Sequence, residues 1–191
     1  MTPRILVLLS GAAPGRPAAR LSGEATRALG VSDVALTAAD LADYPLPFFE
    51  DGLAGDIPQN AKLLAQRLAL QDAVLLVCPE IHAAPPPALV NAIDWIAHAA
   101  GAAERIGQPF ARLVVALAIG GDARRSPQAA SQLRATLGAL GAEVMTLEFH
   151  LTSGEPGFDA KGRFADPADG ERLDAFVDRL LDHARALARQ P

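Results

Sequence analysis

Apolar and polar positions along the chain follow two periods that alternate about five times. Ile5 to Leu9 is an unbroken apolar run of strand length. Residues 73–78, ending in Val77 and Cys78, form another, and Leu113 to Ile119 a third. Runs without alternation suit central strands covered on both faces. Val31 to Thr37 alternates weakly and predicts a second, more exposed strand; Glu143 to Phe149 predicts a fifth.

Helical stripes separate these runs. Leu21, Ala25 and Leu29 follow Pro17, which suits a first helical position, and Gly30 is a natural stop. Ala61, Leu64, Ala65 and Leu68 follow Pro58. Leu89, Ile93 and Ile96 predict a helix over residues 86–99, ended by Gly101, with Asn91, Asp94 and His98 on another face. Ser126-Pro127 reads as an N-cap and first helical residue ahead of Leu133, Leu137 and Leu140, with Gly141 as the stop. Asp166-Pro167 opens a last helix, whose stripe runs from Leu173 through Phe176, Val177, Leu180, Leu181 and Ala184 to Leu187.

Strand and helix in alternation imply a parallel sheet with helices on both faces, a doubly wound α/β architecture. The length, 191 residues, suits a single domain spanning residues 1–191. Residues 38–57 and 150–165 are irregular connections; the first is too aromatic for a disordered linker. In open parallel sheets, ligands sit over the loops at the carboxyl ends of strands. Those loops are residues 10–17, 78–87 and 119–126.

Composition narrows the choices. The net charge is −5 with no Lys/Arg cluster, which gives no support to nucleic acid as a partner. The lone Cys78 excludes an internal disulfide and fits a reducing cytoplasm. The first apolar run is too short to span a bilayer or to serve as a signal-peptide core. No P-loop, dinucleotide fingerprint, G-x-S-x-G elbow or H-E-x-x-H is present, so no catalytic side chain is assigned. Cys78, Glu80 and His82 alternate and would point one way in extended chain. Their spacing is no zinc pattern and a lone buried cysteine is usually inert, so no metal site is assigned.

Pro79, Glu80, Pro86, Leu89, Asn91, Ala92, Ile93, Asp94 and Trp95 together resemble a motif of the NADPH-dependent FMN reductase family. That family reads roughly T-P-E-Y-N-G-S-x-P-G-x-L-K-N-A-I-D-W. Leu41 to Asp51 is similar to its D-L-x-D-x-x-L-P-x-x-x-x-D segment. The likeness covers residues 4–150 and implies a flavodoxin-like fold with strand order 2-1-3-4-5. It implies bound FMN, NADPH or NADH as reductant, a flavin, quinone or similar small-molecule acceptor, and a homodimer or homotetramer. The helix half of the motif matches. In the loop half, Ile81, His82, Ala83 and Ala84 replace Tyr, Asn, Gly and Ser, and Val90 stands in place of Lys.

The resemblance also implies which residues meet the flavin. In the first loop, where the family has G-S-x-R-x-x-S-x-N, this chain keeps Ser10, Gly11, Gly15 and Arg16 and lacks the other hydroxyl donors. Arg16 reads either as a phosphate partner at a helix start or as a solvated arginine beside a turn. In the second loop, Pro79, Glu80, Ile81, His82 and Ala83 would face the flavin ring, with Ile81 as an apolar cover. His82 reads either as a donor to a flavin carbonyl or as an exposed histidine. In the third, Gly120 and Gly121 permit close approach. Arg124 and Arg125 read as NADPH 2′-phosphate partners or as a solvated pair. The family's enzyme function and a flavodoxin-like binding module that has lost tight FMN binding both fit these residues. Either way, the missing hydroxyls predict weak FMN binding. Tyr44, Phe48, Phe49 and Trp95 are four of few aromatics in the chain and predict a homodimer contact, with Trp95 filling either that contact or the core.

Overall fold

A computed structural model describes residues 2–50, 56–102, 108–121, 128–151 and 157–187. Five parallel strands form one sheet: β1 (Arg4–Leu9), β2 (Ala35–Asp40), β3 (Ala73–Cys78), β4 (Val114–Ile119) and β5 (Glu143–His150), in the order β2-β1-β3-β4-β5. Each of the first four is followed by a helix before the next strand: α1 (Pro17–Gly30), α2 (Gln59–Ala69), α3 (Pro87–Ala102) and α4 (Gln128–Ala139). The helix α5 (Pro167–Ala186) follows β5.

Successive strand residues point to opposite faces, so each continuous apolar run feeds two cores. Leu6, Leu8, Val74, Leu76, Val115 and Leu117 pack with α2, α3 and α4. Ile5, Val7, Leu75, Val77, Ala116 and Ala118 pack with α1 and α5. All six residues of β3 are buried, as are all six of β4. Order reverses between β1 and β3, which places the switch point at the loops after those strands.

Some boundaries differ from the sequence reading. β2 begins at Ala35, because its register is set by pairing with β1, Arg4 opposite Ala35 through Leu9 opposite Asp40. As a mostly exposed edge it carries little apolar pattern to announce its position. Gly30 is the last residue of α1 and not a left-handed stop; the capping residue Val31 is right-handed at φ −94°. Gly101 also lies inside its helix. Gly141 is in the left-handed region at φ +86°, as a stop after α4 requires. Ser126-Pro127 lies outside the described residues, whereas Asp166 caps α5 by accepting from Ala168 N at 2.9 Å.

The irregular connections are tied down. Within the 150–165 stretch, Phe158 and Phe164 pair as an antiparallel bridge and stack with centroids 5.1 Å apart. In the connection after β2, Pro47 O accepts from Trp95 Nε1 at 2.8 Å and from Asn91 Nδ2 at 3.0 Å, while Phe49 N donates to Asn91 Oδ1 at 2.7 Å. Asn91 and Trp95 therefore strap this segment onto α3. Trp95 is 4 % exposed and spends its indole inside the chain, while Phe48, at 84 %, remains on the surface.

Candidate functional site

The three strand-end loops meet at the switch point. Ser10 N donates to Val77 O at 2.9 Å, and Gly120 N donates to Cys78 O at 2.9 Å, so the ladder pattern continues just past the strands. Gly11 sits at φ +72°, and a Cβ there would lie 2.4 Å from Pro86 Cβ, in the second loop. At Gly120 a Cβ would lie 2.4 Å from Ala18 Cα, in the first turn of α1. Both glycines are demanded by close approach between loops. Gly121 lies beside Glu80, whose N would be 3.9 Å from an added Cβ. Ser10, Gly11, Pro79, Glu80, Gly120 and Gly121 are thus brought together.

Gly15 and Arg16 stand further out. Gly15 takes φ +80° with open space where a Cβ would go, and Arg16 is exposed. Arg16 occupies the N-cap of α1, where no side chain caps the helix and the first turn holds no acidic residue. A helix start in that state offers N–H groups and the positive end of the helix dipole to an anion. Arg20 fixes the turn beside it: its Nε donates to Gly15 O at 2.9 Å and its Nη1 to Asp159 O at 2.7 Å. Ser10 is fully buried, and its Oγ has no hydrogen-bond partner among the described residues.

The second loop is a tight two-residue turn. Ile81 N donates to Ala84 O at 2.9 Å and Ala84 N to Ile81 O at 3.0 Å. His82 and Ala83 between them have φ of 50° and 61°. Two left-handed central residues define a type I′ geometry, which favours Asn-Gly. Each non-glycine residue held there costs about 1–2 kcal/mol. The backbone keeps the shape while the sequence lacks the usual residues for it. Ile81 and His82 are exposed at its tip, as an apolar cover or a flavin donor would need to be. Glu80 turns inward: its Oε2 accepts from Ala129 N at 3.1 Å, at the start of α4, and its Oε1 is buried.

Cys78 lies in the core, and burial, with Glu80 nearby, pushes its thiol up to about 12, which leaves it protonated and unreactive. Among the described residues no group of three His, Cys, Asp or Glu side chains could hold a metal. Asp94, half-buried on α3, has its carboxyl pushed above the usual range by desolvation. Arg124 and Arg125 lie outside the described residues, as does most of the third loop.

Gln132 and Arg20 carry structural roles here that sequence reasoning missed. Gln132 Nε2 donates to Ala83 O at 3.3 Å. Both act on backbone carbonyls, and no motif marks that. The donor set fits FMN in kind. An uncapped helix start suits a phosphate, and a shaped backbone turn beside two glycines suits the edge of a flat ring.

The model of the NADPH-dependent FMN reductase family matches residues 3–155. A 2-hydroxy-1,4-benzoquinone reductase from a Burkholderia species is 28% identical over 162 residues, covering 84% of this chain and 85% of that protein. A flavoenzyme NAD(P)H:(acceptor) oxidoreductase from Paracoccus denitrificans superposes with TM-score 0.74 at 22% identity, over 97% of this chain and 98% of the other. An NAD(P)H:quinone oxidoreductase from Methanothermobacter marburgensis gives TM-score 0.66 at 14% identity, over 94% and 100%. These two structural likenesses speak for the fold.

Proposed function

The chain belongs to the NADPH-dependent FMN reductase family, and on that premise we propose which residues serve its chemistry. The protein is an oxidoreductase of flavin and quinone reduction, with FMN as cofactor and NAD(P)H as reductant. Bound FMN supplies the hydride chemistry; the chain binds it, orients it and shapes the space beside it. The start of α1, with Arg16, takes the phosphate. The backbone of residues 79–83 faces the ring, Ile81 covers it, and His82 donates to a ring carbonyl. Gly120 and Gly121 let the third loop approach. The acceptor is a small quinone, a reading supported by the benzoquinone reductase relative.

The observation that carries this reading is the interlocking of the three loops through Gly11 against Pro86 and Gly120 against Ala18. We further read residues 1–191 as one domain acting in the cytoplasm. We also read it as a homodimer using the strapped segment around Phe48, which light scattering would test. Among the described residues no helix is long and apolar enough to cross a membrane.

Calorimetric titration of FMN into the protein and into Arg16→Ala tests the assignment. With few hydroxyl donors in the first loop, FMN should bind weakly and the purified protein should be only partly yellow. Losing one charge-assisted bond costs about 1.5–3 kcal/mol, so Arg16→Ala should bind at least tenfold more weakly. Equal affinities would remove Arg16 from the phosphate site. No heat in either protein would favour the binding-module reading over the enzyme.

A further inference from the structure

The turn at residues 81–84 holds His82 and Ala83 in the left-handed region at φ 50° and 61°. Turns of this shape are normally stabilised by Asn-Gly at those two places, and this chain has neither. The support comes from another element. At the base of the turn, Glu80 Oε2 accepts from Ala129 N at 3.1 Å. At its apex, Ala83 O accepts from Gln132 Nε2 at 3.3 Å. Ala129 and Gln132 are three residues apart on α4 and share one side of it.

The two bonds form a reciprocal clamp. Glu80 satisfies an N–H that the start of α4 leaves without an intrahelical partner, and its charge suits the positive helix end. α4, so fixed, presents Gln132 to the carbonyl of the strained turn. A turn held only by its own two backbone bonds relaxes when Ala83 leaves the left-handed region, which swings the peptide between Ala83 and Ala84, the one that carries the Ala83 carbonyl. The clamp at Ala83 O opposes that rotation.

We propose that Gln132 is a positioning residue that, with Glu80, holds the turn at residues 81–84 in the shape that meets the flavin. The proposal rests on the assignment of this turn to the flavin ring in the function proposed above. The signature is coupling to strain. Glycine at position 83 relieves the left-handed cost, so a turn carrying it no longer needs the amide.

Four proteins decide the matter: the parent, Gln132→Ala, Ala83→Gly and the double variant. Each is titrated with FMN by flavin fluorescence and melted without FMN. Gln132→Ala should weaken FMN binding roughly three- to tenfold, the effect of one net hydrogen bond. In the Ala83→Gly protein the same substitution should change affinity by less than about twofold. The melting temperatures of the free proteins should show the same coupling. Unchanged affinity in Gln132→Ala would overturn the proposal, and so would equal factors in both backgrounds. If no version binds FMN, the flavin assignment fails and positioning for FMN fails with it. The melts still separate the cases: coupling then leaves a clamp on the turn alone, and additivity removes even that.

Discussion

The loops after β1 and β3 lie side by side at the switch point and are built by opposite means. Residues 10–17 are fixed at their root, by the Ser10 ladder bond and by Gly11 against Pro86. Beyond that point the loop runs largely exposed, held by Arg20 at Gly15 O, to an uncapped helix start. Residues 79–86 are held throughout, with Pro85 and Pro86 buried, a two-bond turn, and α4 attached at two points. The first loop makes a candidate site by leaving backbone donors without side-chain partners. The second makes one by imposing a costly backbone shape and fixing it from outside. Anions need donors and a favourable field, which a helix start supplies without side-chain hydroxyls. A flat ring needs a surface in the right place, which demands rigidity.

The largest effect should come from the residue that joins these two halves. Gly120 follows β4, is bonded to Cys78 O below the second loop, and touches the start of the helix that follows the first. In Gly120→Ala the new methyl would meet Ala18 Cα at 2.4 Å and Ala18 N at 2.6 Å. Backbone atoms cannot swing aside as a flexible side chain can, so the start of α1 must move. Overpacking of this kind costs about 1–3 kcal/mol, with the upper end expected here. The midpoint should fall by roughly 2–4 °C per kcal/mol in thermal unfolding, and FMN binding should weaken with it. A variant that melts like the parent would show that α1 and the third loop are not in contact.

A smaller effect separates steric contact from backbone strain. Gly11 and Gly15 both have positive φ, +72° and +80°, but an added Cβ meets Pro86 only at Gly11. Substituting alanine imposes the left-handed cost of about 1–2 kcal/mol at either position. Only Gly11→Ala adds a clash with the second loop. Urea unfolding should therefore rank Gly11→Ala below Gly15→Ala in stability by at least about 1 kcal/mol. Equal losses would mean that the first loop is not braced against Pro86.

Strands β3 and β4 were legible because burial on both faces leaves unbroken apolar runs, and the repeat then fixed a parallel sheet. β2 was misplaced by about four residues because an exposed edge strand takes its register from pairing with its neighbour. Gly30 and Gly101 show that a glycine near a helix end does not by itself stop it. Topology brought the three loops together, and the sequence order alone was enough to expect that meeting. Gly11 and Gly120 looked permissive in sequence; that they are required appears only from what touches them. Gln132, Arg20 and the inward turn of Glu80 were hidden, because each bonds to backbone groups distant in sequence. Trp95 read equally as a core or an interface residue, because an aromatic on a helix carries no sign of whether it packs inward or outward; it packs inward.

The smallest effect concerns the middle of α4, and it tests whether the clamp on the second loop is local. Arg134 of α4 reaches Glu148 on β5 and also donates to Val144 O at 3.2 Å and Thr146 O at 3.3 Å. His150 Nε2 lies 3.0 Å from the other oxygen of Glu148. Burial alone pushes the Glu148 carboxyl up, but the bonds to Arg134 and His150 outweigh it and hold the group below its ordinary 4.5. A depressed carboxylate contributes stability that is present above the ordinary value and lost as pH falls through the folded one. Glu148→Gln should therefore be less stable than the parent at pH 7, by no more than about 1 kcal/mol for a partly exposed pair. The two proteins should converge in thermal melts as the pH drops below 4.5, the ordinary value for this group. FMN affinity at pH 7 should not change, because Arg134 keeps its two carbonyl bonds to β5 and α4 stays in place for Gln132. If Glu148→Gln weakened FMN binding, the clamp would depend on the whole length of α4, and the second loop would be no more self-contained than the first.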